Sequence, residues 1–212
     1  MDTDASIETI KAESADIVVI ATGASYERTG QSLYRPEREK IPGTELDHVW
    51  DLGTAAVRAL EDPKAFGERV LILDETGAHF PFALAELFAQ AGVKVEIMSP
   101  RMYAGERLFR NLDMLSLFPR LKGMGIQITQ QYFVEAIRDR EVDVYDIWSG
   151  SQELEIRSDI DSVIFSVLRV PNDSLYHVSH SALPDVRRIG DVLAPRDITA
   201  VLVDGEQLAR EI

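Results

Sequence analysis

Apolar and polar positions along the chain fall into two periods, and the changes of period mark its elements. Ala15-Asp-Ile-Val-Val-Ile-Ala-Thr-Gly23 is a nearly continuous apolar run that closes on small residues, the pattern of a strand buried on both faces of a parallel sheet. Ala24 to Pro42 is polar and ends in Ile41-Pro42-Gly43, so it reads as a connector closed by a turn. From Arg69 the pattern becomes β-α-β. Val70 to Leu73 forms a short strand, Pro81 to Ala91 has helical apolar spacing with Gly92 as its stop, and Val93 to Met98 forms a second strand. A parallel pair joined by a right-handed crossover helix is the simplest topology, the start of a Rossmann-like fold.

Leu112 to Met124 reads as a further helix, interrupted by Pro119 and Gly123. Gly125 to Thr129 alternates, and Tyr132 to Ile137, Glu141 to Trp148 and Glu153 to Arg157 follow as short antiparallel strands, with Gly150 and Ser151 at the last hairpin turn. Asp161 to Val167 returns to the buried-strand pattern. Val186 to Asp191 then leads through a Gly-Asp loop into a closing helix, Pro195 to Ile212. Pro195 suits its first turn, and Ile198, Val201, Leu202, Leu208 and Ile212 are spaced to share a buried side.

Composition narrows the chemistry. With 212 residues and 45% apolar content the chain can fill one domain or two small ones, and no run of about 18 apolar residues could cross a membrane. Met1-Asp-Thr-Asp-Ala5 lacks the basic, then apolar, start of a secretory signal, so a cytoplasmic location is expected. A formal charge of −14 opposes nucleic acid, and no basic stripe interleaved with aromatics counters it. The absence of cysteine excludes disulfides, thiolate zinc, iron–sulfur ligation and a CxxC pair, so any redox chemistry needs a bound cofactor. His177 and His180 would need a helix to chelate a metal together, but they sit among turn formers; no metal site is expected.

Three loops carry candidate chemistry. Ala21-Thr22-Gly23 ends a strand in small residues, which lets a ligand approach the backbone where open α/β sheets bind ligands. Gly190-Asp191 with Ala194-Pro195-Arg196 offers a close backbone, an acceptor for a ribose or ribityl hydroxyl and the amides of a helix start. The plainer reading is that Asp191 caps the helix and Arg196 pairs with a surface acid. Leu73-Asp-Glu-Thr-Gly77 stands where a dinucleotide site needs GxGxxG, yet only Gly77 remains, and Asp74 and Glu75 oppose a pyrophosphate; NAD(P) binding by this unit is therefore a weak expectation. Ser99-Pro-Arg101 lacks an acid for an NAD ribose; Arg101 could meet a 2′-phosphate, but its plainer reading is a solvated charge. Trp50 and Trp148 read as core or interface residues, and Arg107 to Phe118 as an amphipathic helix or a docking surface. No Ser-His-Asp order or carboxylate pair stands out, so no catalytic residue is assigned.

The order of Ala15 to Ala24, Ile41-Pro-Gly43, Val70 to Met98, Val142 to Trp148, Ile189-Gly-Asp191, Ala194-Pro-Arg196 and Leu208 to Ile212 resembles the C-terminal half of the NADH:flavin oxidoreductases. That family includes trimethylamine, dimethylamine and histamine dehydrogenases and 2,4-dienoyl-CoA reductase. The resemblance implies an α/β fold in which a Rossmann-like three-layer NAD(P)-type domain, 67–157, is inserted in a partial FAD-type, glutathione-reductase-like domain, 1–66 with 158–212. It implies that Thr22, Gly23, Gly190, Asp191, Pro195 and Arg196 border FAD or ADP in a parent protein. The parent's substrate chemistry would belong to an upstream FMN-containing TIM barrel, with an electron-transfer protein as a partner and a homo-oligomer left open. Three departures point to a scaffold without turnover of its own. The glycine-rich βαβ expected before residue 1 is missing, the inserted domain has lost its glycine fingerprint, and Phe165-Ser-Val-Leu-Arg169 replaces a second Thr-Gly. The alternative is a non-catalytic degenerate Rossmann module that makes oligomer or partner contacts.

Overall fold

The computed structural model describes residues 4–110 and 112–212. In chain order these form α1 (Ile7–Ala12), β1 (Val18–Ile20), β2 (Ala24–Tyr26), β3 (Val49–Asp51), α2 (Leu52–Glu61), β4 (Arg69–Asp74), α3 (His79–Gln90), β5 (Lys94–Ser99) and α4 (Met114–Gly123). The remainder comprises β6 (Gln127–Gln130), β7 (Tyr132–Arg138), β8 (Glu141–Asp146), β9 (Glu155–Ser158), β10 (Ser162–Ser166), β11 (Arg169–Pro171), α5 (Ser174–His180), β12 (Val186–Arg188) and α6 (Ile198–Glu211). The fold is α/β, and the chain divides into two units, 26–168 and the pair of flanking segments up to residue 25 and from 169 onward.

The larger unit is built on a parallel sheet in the order β3-β10-β4-β5-β6. Its central strands read as unbroken apolar runs because both faces are covered. Val70, Ile72, Val95, Ile97 and Ile164 point to one side and pack with α2, α3 and α4, around Leu52, Phe66, Phe82, Phe88 and Leu121. Leu71, Leu73, Met98, Val163 and Phe165 point to the other, against the antiparallel sheet β7-β8-β9 with Phe133, Val134 and Val144. The result is three layers, helices on sheet on sheet. Each fully buried Phe or Leu contributes about 1.5–3 kcal/mol, so these two layers of apolar side chains hold the unit together.

Four details depart from the sequence reading. Asp161 to Val167, expected in the flanking domain, supplies β10, which pairs with both β3 and β4, so the cuts fall at 25/26 and 168/169. A doubly buried strand carries no mark of which neighbours it takes. Gln127–Gln130 extends the parallel sheet as its edge. Between β8 and β9 the chain needs residues 147–154, longer than a two-residue hairpin at Gly150 and Ser151. Pro119 sits inside α4 without ending it.

The smaller unit holds two two-stranded sheets, β1-β12 and β2-β11, with a core of Ile20, Val186 and Val192 flanked by Val18, Leu175, Tyr176 and Leu183. β1 is therefore shorter than expected and not buried on both faces; Val19 is 40% exposed. The closing helix starts at Ile198, not Pro195, because the Asp197 carboxylate accepts the Ala200 amide and sets the N-cap there. Its proposed buried side is also absent: Ile198, Leu202 and Ile212 are 71%, 66% and 64% exposed, and Leu208 is the buried residue.

Candidate functional site

The loop after β4 is the position at which a Rossmann sheet offers its backbone amides to a pyrophosphate. Here Asp74, fully buried, takes those donors itself. Its carboxylate accepts the Thr76 amide at 2.9 Å, the Thr76 hydroxyl at 2.7 Å, the Ser166 hydroxyl at 3.1 Å and the Gly77 amide at 3.2 Å. The acid is thus not a charge facing an arriving phosphate but a substitute for one, bound within the loop. Burial pushes its pKa up while the Thr76 and Ser166 hydrogen bonds oppose the shift. Ser166, counted in the sequence only as a departure from Thr-Gly, proves to be one of these donors.

Glu75 is buried beside it. Burial raises its carboxyl to about 7, against hydrogen bonds from the Ser32 side chain and the Leu33 backbone and the pull of Arg101. Its Oε1 has no hydrogen-bond partner among the described residues. Arg101 is not the solvated charge expected of it: it donates to the Glu75 carbonyl and pairs with Glu106 at 2.8 Å, bracing the loop from the far side.

In the smaller unit the other two predicted loops come together. β1 and β12 are parallel with Ile20 level with Arg188, so Thr22 and Asp191 both emerge at the carboxyl end of one sheet. The Thr22 hydroxyl donates to the Asn172 carbonyl at 2.6 Å, and the Asn172 amide donates to the Gly23 carbonyl at 3.0 Å. Across the same end Arg169 pairs with Asp191 at 2.6 Å, while the other Asp191 oxygen accepts the Arg196 amide at 2.9 Å. A carboxylate has about four acceptor positions, so these two bonds leave room for ligand hydroxyls. Gly23 and Gly190 take φ of +75° and +70°, and nothing lies within 4 Å of where a Cβ on Gly23 would stand. Backbone approach there is open.

Not every predicted element is available. The Arg196 guanidinium turns onto Asp204 of α6, the same acid that accepts the Gly190 amide at 3.1 Å. Pro195 lies half-buried in the loop before Asp197, ahead of the helix start. Asp191 therefore closes the loop onto Arg196 and does not cap α6. Arg169, Asn172 and Asp204 went unassigned in the sequence; Arg169 alone carried a signal, as the cation in the segment that replaces Thr-Gly.

The other candidates resolve individually. His177 and His180 do share a helix, contrary to expectation, but His177 pairs with Asp173 and His180 stacks on Tyr176 at 5.2 Å; no metal-binding cluster occurs among the described residues. Trp50 packs on Phe66 at 5.0 Å, whereas Trp148 is 71% exposed and belongs to no core. Of the segment from Arg107 onward, Leu117 and Leu121 are buried while Leu112 and Leu115 are exposed. No helix among the described residues is long and apolar enough to cross a membrane.

Residues 55–162, from α2 to the first residue of β10, match the family described as the OYE-like second alpha/beta domain. The chain belongs to that family. Among curated relatives of this OYE-like domain, dimethylamine dehydrogenase from Hyphomicrobium sp. (strain x) is 27% identical over 93% of the chain and 29% of its own length. Probable N-methylproline demethylase from Rhizobium meliloti (strain 1021) is 27% identical over 100% of the chain and 33% of its own length. Among solved structures, histamine dehydrogenase from Rhizobium sp. 4-9 superposes with a TM-score of 0.89 at 23% identity, covering 100% of this chain and 33% of that one. The OYE-like chain thus spans about a third of the relatives it matches. The family and these names agree with the resemblance to NADH:flavin oxidoreductases.

Proposed function

We propose that this chain is the nucleotide-binding and electron-transfer scaffold portion of a flavin-dependent oxidoreductase of the amine dehydrogenase or dienoyl-CoA reductase type, without turnover alone. The observation that carries the reading is the convergence of Thr22–Gly23 and Gly190–Asp191 at one sheet end, cross-linked through Asn172 and Arg169. The residues there suit FAD or ADP in part. Gly23 allows backbone approach and Asp191 keeps acceptor positions for a ribityl or ribose hydroxyl, while Gly190 is buried against Val201, and Arg196 and the start of α6 are engaged by Asp204 and Asp197. Pro195 and the Arg169–Asp191 pair fix the loop that would border the ligand. When bound, a flavin supplies the capacity to accept and pass electrons; the chain's own residues hold and orient it. On this reading residues 26–168 correspond to an NAD(P)-type domain whose dinucleotide loop is closed. The parent would carry an FMN-containing barrel upstream, work in the cytoplasm and pass electrons to a partner protein.

A second reading, a non-catalytic Rossmann module for oligomer or partner contacts, is favoured by one observation: Asp74 occupies the donors a cofactor would use. Calorimetric titration of the chain with ADP, FAD, NADH and NADPH separates the two. Saturable micromolar binding of ADP or FAD is expected and rejects the module; silence from all four rejects the nucleotide-binding scaffold.

A further inference from the structure

At the amino ends of β4, β5 and β6 the sheet face turned toward β9 carries an unusual set of residues. Arg69 and Lys94 are level in the β4–β5 register, and Glu96 and Gln127 are level in the β5–β6 register. Successive same-face positions lie two residues apart, so all four side chains rise on one side of the sheet. With Gly125 and Val95 they line a recess of about 150 Å³, and no atom lies within 4 Å of where a Cβ on Gly125 would stand.

The recess has polar groups without counterparts. Glu96 is buried, 4% exposed in its side chain; its Oε1 accepts the Thr129 hydroxyl at 2.7 Å and Arg157 at 3.4 Å, while Oε2 is buried with no partner among the described residues. A buried acceptor left unpaired costs about 1–3 kcal/mol, so the geometry calls for a donor at that atom. Arg69 donates only weakly, to the Ser158 carbonyl at 3.4 Å, and neither it nor Lys94 has a carboxylate partner among the described residues of this strongly acidic chain. Two like charges on neighbouring strands repel, and an anion between them would relieve the repulsion.

We propose that this recess is a binding site for a small α-amino or α-hydroxy carboxylate. The carboxylate meets Lys94 and Arg69; the Glu96 carboxyl, whose Oε2 is closed to solvent, turns to accept from the ammonium or hydroxyl on the adjacent carbon, and the Gln127 amide lines the wall. A liquid water occupies about 30 Å³, so the recess has room for several waters or for one molecule of a few heavy atoms. A plain anion would leave Oε2 unpaired, and a plain cation would face two positive side chains. One molecule carrying both functions satisfies the set.

The test is a calorimetric and amide-shift titration of the 212-residue chain with glycolate, alanine, acetate and methylamine. Saturable binding of glycolate or alanine is expected, with shifts at Gly125 and Gln127, and acetate and methylamine at least about tenfold weaker, the worth of one charge-assisted contact. Lys94→Ala, on an exposed side chain, should weaken the preferred ligand by about tenfold or more, and so should Glu96→Gln. Whichever of glycolate and alanine binds more tightly names the donor. Silence of both acids up to tens of millimolar would mean a hydrated recess and overturn the proposal. So would acetate binding as well as glycolate, or Lys94→Ala leaving affinity unchanged, a result that stands even if Glu96→Gln fails to fold.

Discussion

Asp74 closes β4 and Asp191 follows β12 by three residues, both at the carboxyl end of a parallel strand, yet they do different work. Asp74 lies in a sheet buried on both faces, and its carboxylate is consumed by hydroxyls and amides of its own loop and of Ser166. Asp191 lies on a two-stranded sheet over a small core, side-chain 22% exposed, and is held by one arginine and one amide with acceptor positions to spare. The same residue type is an internal hydrogen-bond acceptor in one setting and, under the proposed function, an acceptor left open to a ligand in the other. What decides is whether the surrounding donors are already spoken for and whether water can reach the acid.

That contrast can be broken by substitution. The largest effect is expected from Asp74→Ala, which strips a buried loop of the acceptor for four donors and should lower unfolding free energy by about 3 kcal/mol or more in urea titration. Asp191→Ala, by the same measurement, should remove about 1 kcal/mol or less, since Arg169 and the Arg196 amide reach solvent once released. Equal losses would erase the distinction.

The buried neighbour gives a pH signature. Glu75 is raised from 4.5 to about 7 in the folded chain, so between those values the folded state holds a proton that the unfolded state has released. Stability assigned to Glu75 is then complete below about pH 4.5 and is lost as pH rises to about 7, a fall of about 3 kcal/mol for a shift of this size. Glu75→Gln should flatten that part of the pH–stability curve. A variant curve parallel to the wild-type curve over this window would rule out the buried carboxyl as its source.

Smaller effects sharpen the picture. Ser166→Ala should cost about 1 kcal/mol by removing one of the four donors to Asp74. Arg169→Ala should change stability by less than about 1 kcal/mol, because both partners are about a quarter exposed, while freeing one Asp191 oxygen. Proton-shift changes confined to Thr22–Gly23 and Gly190–Arg196 would be the mark of that release.

The larger unit was legible where burial imposes a period. β4, α3 and β5 appear within a residue or two of their expected bounds, since a strand covered on both faces must be continuously apolar and its helix must show one apolar side. Neighbour choice left no such trace, which is why the strand at Asp161–Val167 was assigned to the wrong unit. α6 misled in the opposite way: apolar residues at helical spacing predict a buried side, but Ile198 and Leu202 stay exposed among the described residues. At the site, Thr22 and Asp191 could be named from small and acidic residues after strands. Asn172 could not, because its meaning depends on a contact across 150 residues of chain, and Arg169 showed only as the cation in the segment that replaces Thr-Gly, its partner 22 residues away unmarked. An aspartate in a loop also reads alike whether it faces outward or folds onto its own amides, so the inward turn of Asp74 was invisible.

Amide-resolved titration with ADP and with NADH probes both loops at once. The account predicts that ADP shifts Thr22, Gly23, Gly190, Asp191 and Arg196 in a saturable way, while neither ligand moves Thr76 or Gly77. Shifts centred on Thr76 and Gly77, with the Thr22 and Asp191 region silent, would contradict it.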